Sequence, residues 1–297
     1  MGHAARHTPV PWNYRMKPIR LSLLLMAVAT PWLLAAEGPA DAKTYALVIG
    51  ISRYQKLPQD LWLQYPEADA KAFSEHLASP RGGSVPPDRM LVLTNDGATT
   101  ARVREAFQTF LKTGPGRNDT VFILIAGHGT VDNSGAYILT YDSDPENLAK
   151  TALPMAELHT LVEDELVRAG HVIFLADVCR AATIAGQKTA SLGNVVEELG
   201  EAPGEMLGLM AARPTELSLE GPEFGGGHGA FTWSLLRGLE GAADQDHDGF
   251  VTAGELIDFV TSDVPKTTRN KQHPRDFGNM ENTTKLSDLS KAGSKLP

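Results

Sequence analysis

The chain has 297 residues, of which 42% are hydrophobic, 21% charged and 7% aromatic. That length supports one large α/β domain or a domain with a small appendage, and the balance excludes collagen, coiled coil and wholesale disorder. A formal charge of −9 argues against nucleic-acid binding through a basic surface, and a single cysteine excludes an intramolecular disulfide and a Cys-rich metal site.

The first 36 residues contain no acid and carry Arg6, Arg15, Lys17 and Arg20, followed by the apolar run LSLLLMAVATPWLLAA to Ala36. A basic flank, an apolar stretch and small residues at its end read as a secretory signal peptide over 1–36, with Met16 as an alternative start. The run is short for a bilayer-spanning helix, which needs about 20 apolar residues, and Pro31 interrupts it. A secreted or periplasmic protein follows, with no membrane attachment after cleavage; the competing reading is an uncleaved anchor. Removing four basic residues leaves the rest more acidic still.

Residues 37–43 form a linker. YALVIGI (45–51) is a continuous apolar run, as expected of a strand buried on both faces. A helix is predicted over 66–78, with Ala68, Ala72, Phe73 and Leu77 on one side. MLVLT (90–94) is a second strand. Residues 98–112 read as a helix that Thr99 or Thr100 can cap. VFILIAG (121–127) and HVIFLADV (171–178) are the third and fourth strands, with a helical segment at 154–168 between them. MLGLMAA (206–212) is a candidate fifth strand. Helices are predicted over 231–240, after a Gly-rich turn, and over 253–263, and the polar segment 282–297 is expected to be a flexible tail. Alternation of this kind predicts an α/β fold with a mostly parallel central sheet and helices on both faces. No G-x-S-x-G elbow, P-loop or dinucleotide fingerprint is present.

In open α/β sheets, ligands bind at the carboxyl ends of the strands. His128 follows VFILIAG, and Cys179 follows VIFLAD one crossover later, so parallel neighbours bring imidazole and thiol to one rim. A thiolate is a strong nucleophile but is scarce at a thiol pKa of about 8.5. A nearby His takes the proton and returns it to the leaving amine. Gly129 lets backbone approach a substrate carbonyl, and its N–H, with that of Cys179, is a candidate oxyanion hole. The bland alternative for Cys179 is a small core hydrophobe. His228, in GGHG, reads as turn chemistry; His76, His159 and His171 read as ordinary surface or packing residues.

Strand, His-Gly, some 50 residues, strand and Asp-x-Cys-Arg together resemble the caspase and metacaspase superfamily of cysteine endopeptidases. YALVIGISRY, EADAKAF, GHGAFTWSLLRGL and QHPRDFG resemble further segments of bacterial caspase-like proteins, so the resemblance covers about residues 43–278. It implies a caspase-hemoglobinase fold and peptide-bond cleavage by a Cys/His dyad, with His128 as acid/base, Cys179 as nucleophile and Gly129 at the oxyanion. Asp177 stands where animal caspases have Gln, and Ala181 replaces their glycine after Cys-Arg. A carboxylate two residues before the nucleophile suits an Arg or Lys side chain and repels an acidic one. Metacaspases share that Asp and cleave after Arg or Lys, so the expected substrate is a polypeptide with a basic P1 residue. Asp69, in PEADAK, matches a second acidic position of the metacaspase S1 pocket; its alternative is a solvated helix residue.

Residues 244–255, DQDHDGFVTAGE, place Asp244, Asp246 and Asp248 at positions 1, 3 and 5 and Gly249 at 6, with the Phe250 carbonyl at 7, Thr252 at 9 and Glu255 at 12. This is the ligand pattern of an EF-hand Ca²⁺ loop, here expected as a loop and following helix over 241–264 that completes a C-terminal helix-loop-helix with the helix over 231–240, structural or regulatory. Val251, at position 8, has the β-branched shape suited to pairing between loops. The peptidase-like domain is expected over 44–240, closing with 265–281. The linker 182–204 is a candidate processing loop with Lys188 as a cleavage point, or a loop that is never cut. The oligomeric state is left open. The alternative function is a catalytically silent caspase-like fold that binds proteins in a calcium-dependent way.

Overall fold

The apolar runs become strands and the periodic segments become helices, in the order β1 (Thr44–Gly50), α1 (Pro66–Ala78), β2 (Met90–Thr94), α2 (Thr100–Glu105), β3 (Thr120–Val131), β4 (Ala136–Ile138), α3 (Leu148–Thr151), β5 (Leu153–Pro154), α4 (Met155–Glu165), β6 (His171–Arg180), β7 (Glu205–Met210), β8 (Glu220–Gly221), β9 (His228–Gly229), α5 (Ala230–Arg237), β10 (Phe250–Thr252), α6 (Ala253–Thr267), β11 (Arg275–Gly278) and β12 (Lys285–Asp288). The computed structural model describes Met1 and residues 42–180 and 204–293, without the side chains of Cys179 and Arg180. The expected signal peptide lies outside the described residues but for Met1, and so does the 182–204 linker with Lys188 but for Gly204.

The central sheet runs β11-β7-β6-β3-β1-β2. Its five inner and β2-side strands are parallel, and β11 closes the other edge antiparallel to β7. Side chains alternate across each strand and so feed two cores. Leu47, Ile49, Ile123, Ile125 and Phe174 pack with Val103, Phe107, Leu158 and Val162 from the α2–α4 side. Ala46, Val48, Phe122, Leu124, Ile173 and Leu175 pack with Phe73, Phe231, Leu235, Leu256 and Val260 from α1, α5 and α6. The mostly parallel sheet with helices on both faces is the architecture expected from the alternation. None of the described helices is long and apolar enough to cross a membrane.

Four boundaries differ from the sequence expectation in ways that matter. β3 continues past Gly127 to Val131, because β4 pairs antiparallel with its extension, Gly129 opposite Ile138, and supplies the backbone partners. β6 continues to Arg180 beside it, so His128 and Cys179 lie inside strands and not after them. The helix expected over 98–112 is α2, capped by the Thr99 side chain on the Arg102 amide, followed by a π-helical turn over Ala106–Leu111. Part of the expected flexible tail is ordered: β12 pairs antiparallel with β10, and the Lys285 ammonium sits 3.2 Å over the Phe250 ring.

Candidate active site

The register of β3 against β6 makes His128 and Cys179 Cα partners, with Gly129 opposite Arg180 and Ala126 opposite Asp177. The loop after β1 fixes the histidine. The His128 amide donates to the Tyr54 hydroxyl at 2.8 Å, and the two rings stack at 5.2 Å. Nε2 lies 2.6 Å from the Leu61 carbonyl, and a carbonyl only accepts, so Nε2 carries the proton. Nδ1 is then a bare acceptor, buried and without a partner among the described residues. Burial lowers the pKa of His128, and its bond to Leu61 opposes that in part. A neutral imidazole with an unclaimed lone pair is what a general base requires.

Asp177 is buried and wholly hydrogen-bonded. Ser218 donates to Oδ1 at 2.6 Å, and the Thr232 hydroxyl and amide donate to Oδ2 at 2.7 and 3.3 Å. Desolvation raises its pKa, and these donors pull it back. Asp69 is 2% exposed, so the solvated-helix alternative is wrong. Both its oxygens accept from the Gly229 amide, at 3.1 and 3.2 Å. Burial raises its pKa to about 7, against the opposing bond from His228. The two acids are the register neighbour of Ala126 on β6 and a residue of the first turn of α1, and they converge on one point. A Cβ placed on Gly229 would lie 2.6 Å from Asp177 Oδ2 and 3.2 Å from Asp69 Oδ2.

His228 is a residue that sequence reasoning misjudged. It is not turn chemistry: it lies in β9, 4% exposed, with Nδ1 2.7 Å from Asp69 Oδ1 and its ring stacked on Trp233 at 5.9 Å. The available signal was its position directly before the amphipathic helix AFTWSLLRGL, which fixes it against the core. Ser218, Thr232, Tyr54 and the Leu61 carbonyl carried no local signal. His76 is a packing residue, one of the two settings expected of it, 1% exposed and paired with Glu240 at 2.8 Å.

In the acidic loop, ligand oxygens of Asp244, Asp246 and Glu255 lie within 4.8 Å of one another. Asp244 Oδ1 is buried with no hydrogen-bond partner among the described residues. His247 and Gly249, both at positive φ of 60° and 87°, turn the loop back on itself. Hard carboxylate oxygens converging around an orphaned one fit a Ca²⁺ ion. Asp248 Oδ1 accepts from the Phe250 amide at 2.8 Å, which leaves Oδ2 as its ligand oxygen. Thr252 caps α6 in a reciprocal capping box with Glu255. Val251 pairs with Ser287 of β12, so the loop is tied to a strand from outside it.

Residues 43–283 match the caspase-domain family. A curated relative, a probable protease of a Desulfuromonadales bacterium, is 25% identical over 271 residues that cover 80% of this chain and 32% of the relative. The chain thus spans about a third of the length of that protein. The crystal structure of protein GSU0716 from Geobacter sulfurreducens matches 85% of this chain and 100% of its own with a TM-score of 0.56 at 18% identity, a likeness of fold. The match spans the sheet, the His128–Cys179 register pair and the loops at its carboxyl end, and the chain belongs to the caspase-domain family of peptidases.

Proposed function

We propose that this protein is a cysteine endopeptidase that cleaves polypeptides after Arg or Lys, with Cys179 as nucleophile and His128 as acid and base. The observation that carries the reading is the register pairing of His128 with Cys179, combined with a histidine whose Nδ1 has no partner among the described residues. Registered Cα atoms on neighbouring strands are about 5 Å apart. His128 Nδ1 takes the thiol proton, and the thiolate adds to the scissile carbonyl. The Gly129 and Cys179 amides take up the oxyanion. The proton passes to the leaving amine as the C–N bond breaks, and water then hydrolyses the thioester with His128 again as base.

Asp177 and Asp69 select the P1 side chain. Two acids around one point in a desolvated site attract a guanidinium or ammonium and repel a carboxylate. The loop Asp244–Glu255 holds Ca²⁺ through Asp244, Asp246 and Glu255, with the Phe250 carbonyl, Asp248 and Thr252 completing the set; the ion neutralises the loop and fixes the start of α6. The segment 1–36 directs export, to an extracellular setting in which calcium modules work with dissociation constants of about 10⁻⁴–10⁻³ M, so that a weak site suffices.

Fluorogenic peptides ending in Arg, Lys and Asp test the assignment against Cys179→Ala. Turnover of the first two that disappears in the variant supports it. Turnover of the Asp peptide alone overturns the specificity, and a Cys179 that reacts with no electrophilic peptide leaves a binding module.

A further inference from the structure

The acids assigned to the P1 side chain are hydrogen-bonded around a shared small void. Asp69, Asp177 and Glu220 line a void of about 10 Å³ with Ala126, Gly127 and Gly229. That volume holds about one water. Among the described residues no Lys or Arg lines it. Each acid is met differently. Asp177, from β6, takes the hydroxyls of Ser218 and Thr232. Glu220, from β8, takes the Gln64 and Tyr65 amides at 2.8 and 3.2 Å. Asp69, from α1, takes the Gly229 amide and His228, which is the titratable partner in the group. From α5, Thr232 and Trp233 face the cluster without adding charge.

We propose that this pocket exchanges a proton for the substrate's cation: the Asp69–His228 pair holds a proton while the pocket is empty and gives it up to solvent when a guanidinium or ammonium binds. The inference rests on the basic-P1 reading and adds to it a role for His228, as the positioning residue that sets the pH range over which basic side chains are taken.

Electrostatics require such an exchange. The protonated pair is neutral, whether written as imidazolium and carboxylate or as imidazole and carboxylic acid, and its proton belongs to the pair. A guanidinium brought against it meets a donor or a positive charge. Loss of the proton leaves one net negative charge beside Asp177, facing the spot that both acids already approach. Burial holds Asp69 at about 7, within the range where the exchange alters affinity. His228 cannot leave without unstacking from Trp233, at 11° to its ring, and Asp69 would then lose a buried partner.

The test uses the full chain carrying Cys179→Ala, so that binding is read without turnover. Calorimetry with an acetylated peptide ending in Arg amide, in two buffers of different ionisation enthalpy, counts protons released. The expected result is release approaching one proton per peptide at pH 6 and near none at pH 8.5. Affinity rises about tenfold per pH unit below 7 and levels above it. Asp69→Asn abolishes the release and flattens the profile. His228→Gln keeps a hydrogen-bond donor but not the charge, and moves the midpoint to higher pH, which a merely structural role would not do. Equal affinity at pH 6 and 8.5 with no proton release overturns the exchange and leaves the basic-P1 reading standing. No binding of the Arg peptide at any pH, with an Asp-ended peptide binding, overturns both.

Discussion

The carbonyl of Leu61 and Nε2 of His128, 67 residues apart in sequence, lie 2.6 Å from each other, and this one contact decides which nitrogen of the histidine carries the proton and which keeps a free lone pair. The Tyr54 hydroxyl, from the same loop, takes the His128 amide. Histidine is therefore held at backbone and ring by one segment, the loop after β1. Tyr54→Phe leaves a buried N–H without its acceptor, which costs about 1–3 kcal/mol. The expected outcome is lower stability in urea and a severalfold fall in kcat, with KM for an Arg peptide little changed. An equal fall in kcat/KM carried by KM would place Tyr54 in substrate binding instead.

Gly229 has φ −66° and ψ 140°, a conformation open to any residue, so its backbone does not demand glycine. Space does, because a Cβ there meets both acids at 2.6 and 3.2 Å. Gly229→Ala is expected to lower kcat/KM for Arg peptides by about 100-fold, or ~2.7 kcal/mol, a loss typical of disrupted charged contacts. Alkylation of Cys179 by iodoacetamide should continue at the wild-type rate. If alkylation falls in parallel, the substitution has disturbed the nucleophile and not the P1 pocket.

The raised pKa of Asp69 fixes the sign of a stability change with pH. Folded Asp69 keeps its proton up to about 7, against 3.8 when unfolded, with burial as the main cause. Its contribution is complete below about pH 4 and is lost as pH rises through 7. Asp69→Asn should remove that decline. Unfolding free energies from urea titrations between pH 4 and 8 should fall in the wild type relative to the variant by on the order of 2 kcal/mol, a value reduced by the coupling to His228. Parallel profiles would show that Asp69 is already ionised in the folded protein at pH 5.

The strands were legible because continuous runs such as YALVIGI and VFILIAG carry their burial in composition. The positions of His128 and Cys179 were legible for the same reason, as the residues at which those runs stop. The extension of β3 past Gly127 was not, since His128 and Gly129 gain their partners from the end of β6, and Gly129 to Val131 gain theirs from β4. The pairing of Asp69 with His228 spans 159 residues, and GGHG taken locally has the composition of a turn. The order of β12 was hidden for a related reason: KLSD has no apolar alternation of its own and is ordered by pairing with β10. What sequence conveys poorly here is polar partnership at long range, which leaves no period.

The acidic loop makes a crossing prediction. Without an ion, carboxylate oxygens of Asp244, Asp246 and Glu255 within 4.8 Å of one another repel, and Asp244 Oδ1 is buried with no partner among the described residues. Asp244→Asn relieves part of that repulsion, so in chelator the variant should be more stable than the wild type. With calcium at 100 times the dissociation constant the wild type should gain about 2.7 kcal/mol, and the variant should gain far less, so the order reverses. Thr252→Ala separates the ion from the helix cap. Its side chain accepts the Glu255 amide at 3.4 Å, so losing that cap costs about 1 kcal/mol in chelator, and loss of the position-9 oxygen adds a further deficit only in calcium. Thermal melts of the three proteins in chelator and in millimolar calcium decide the matter. A wild type whose melting temperature ignores calcium, while Asp244→Asn raises it under both conditions, would mean that the loop is an acidic turn stabilised by β12 and by the capping box alone.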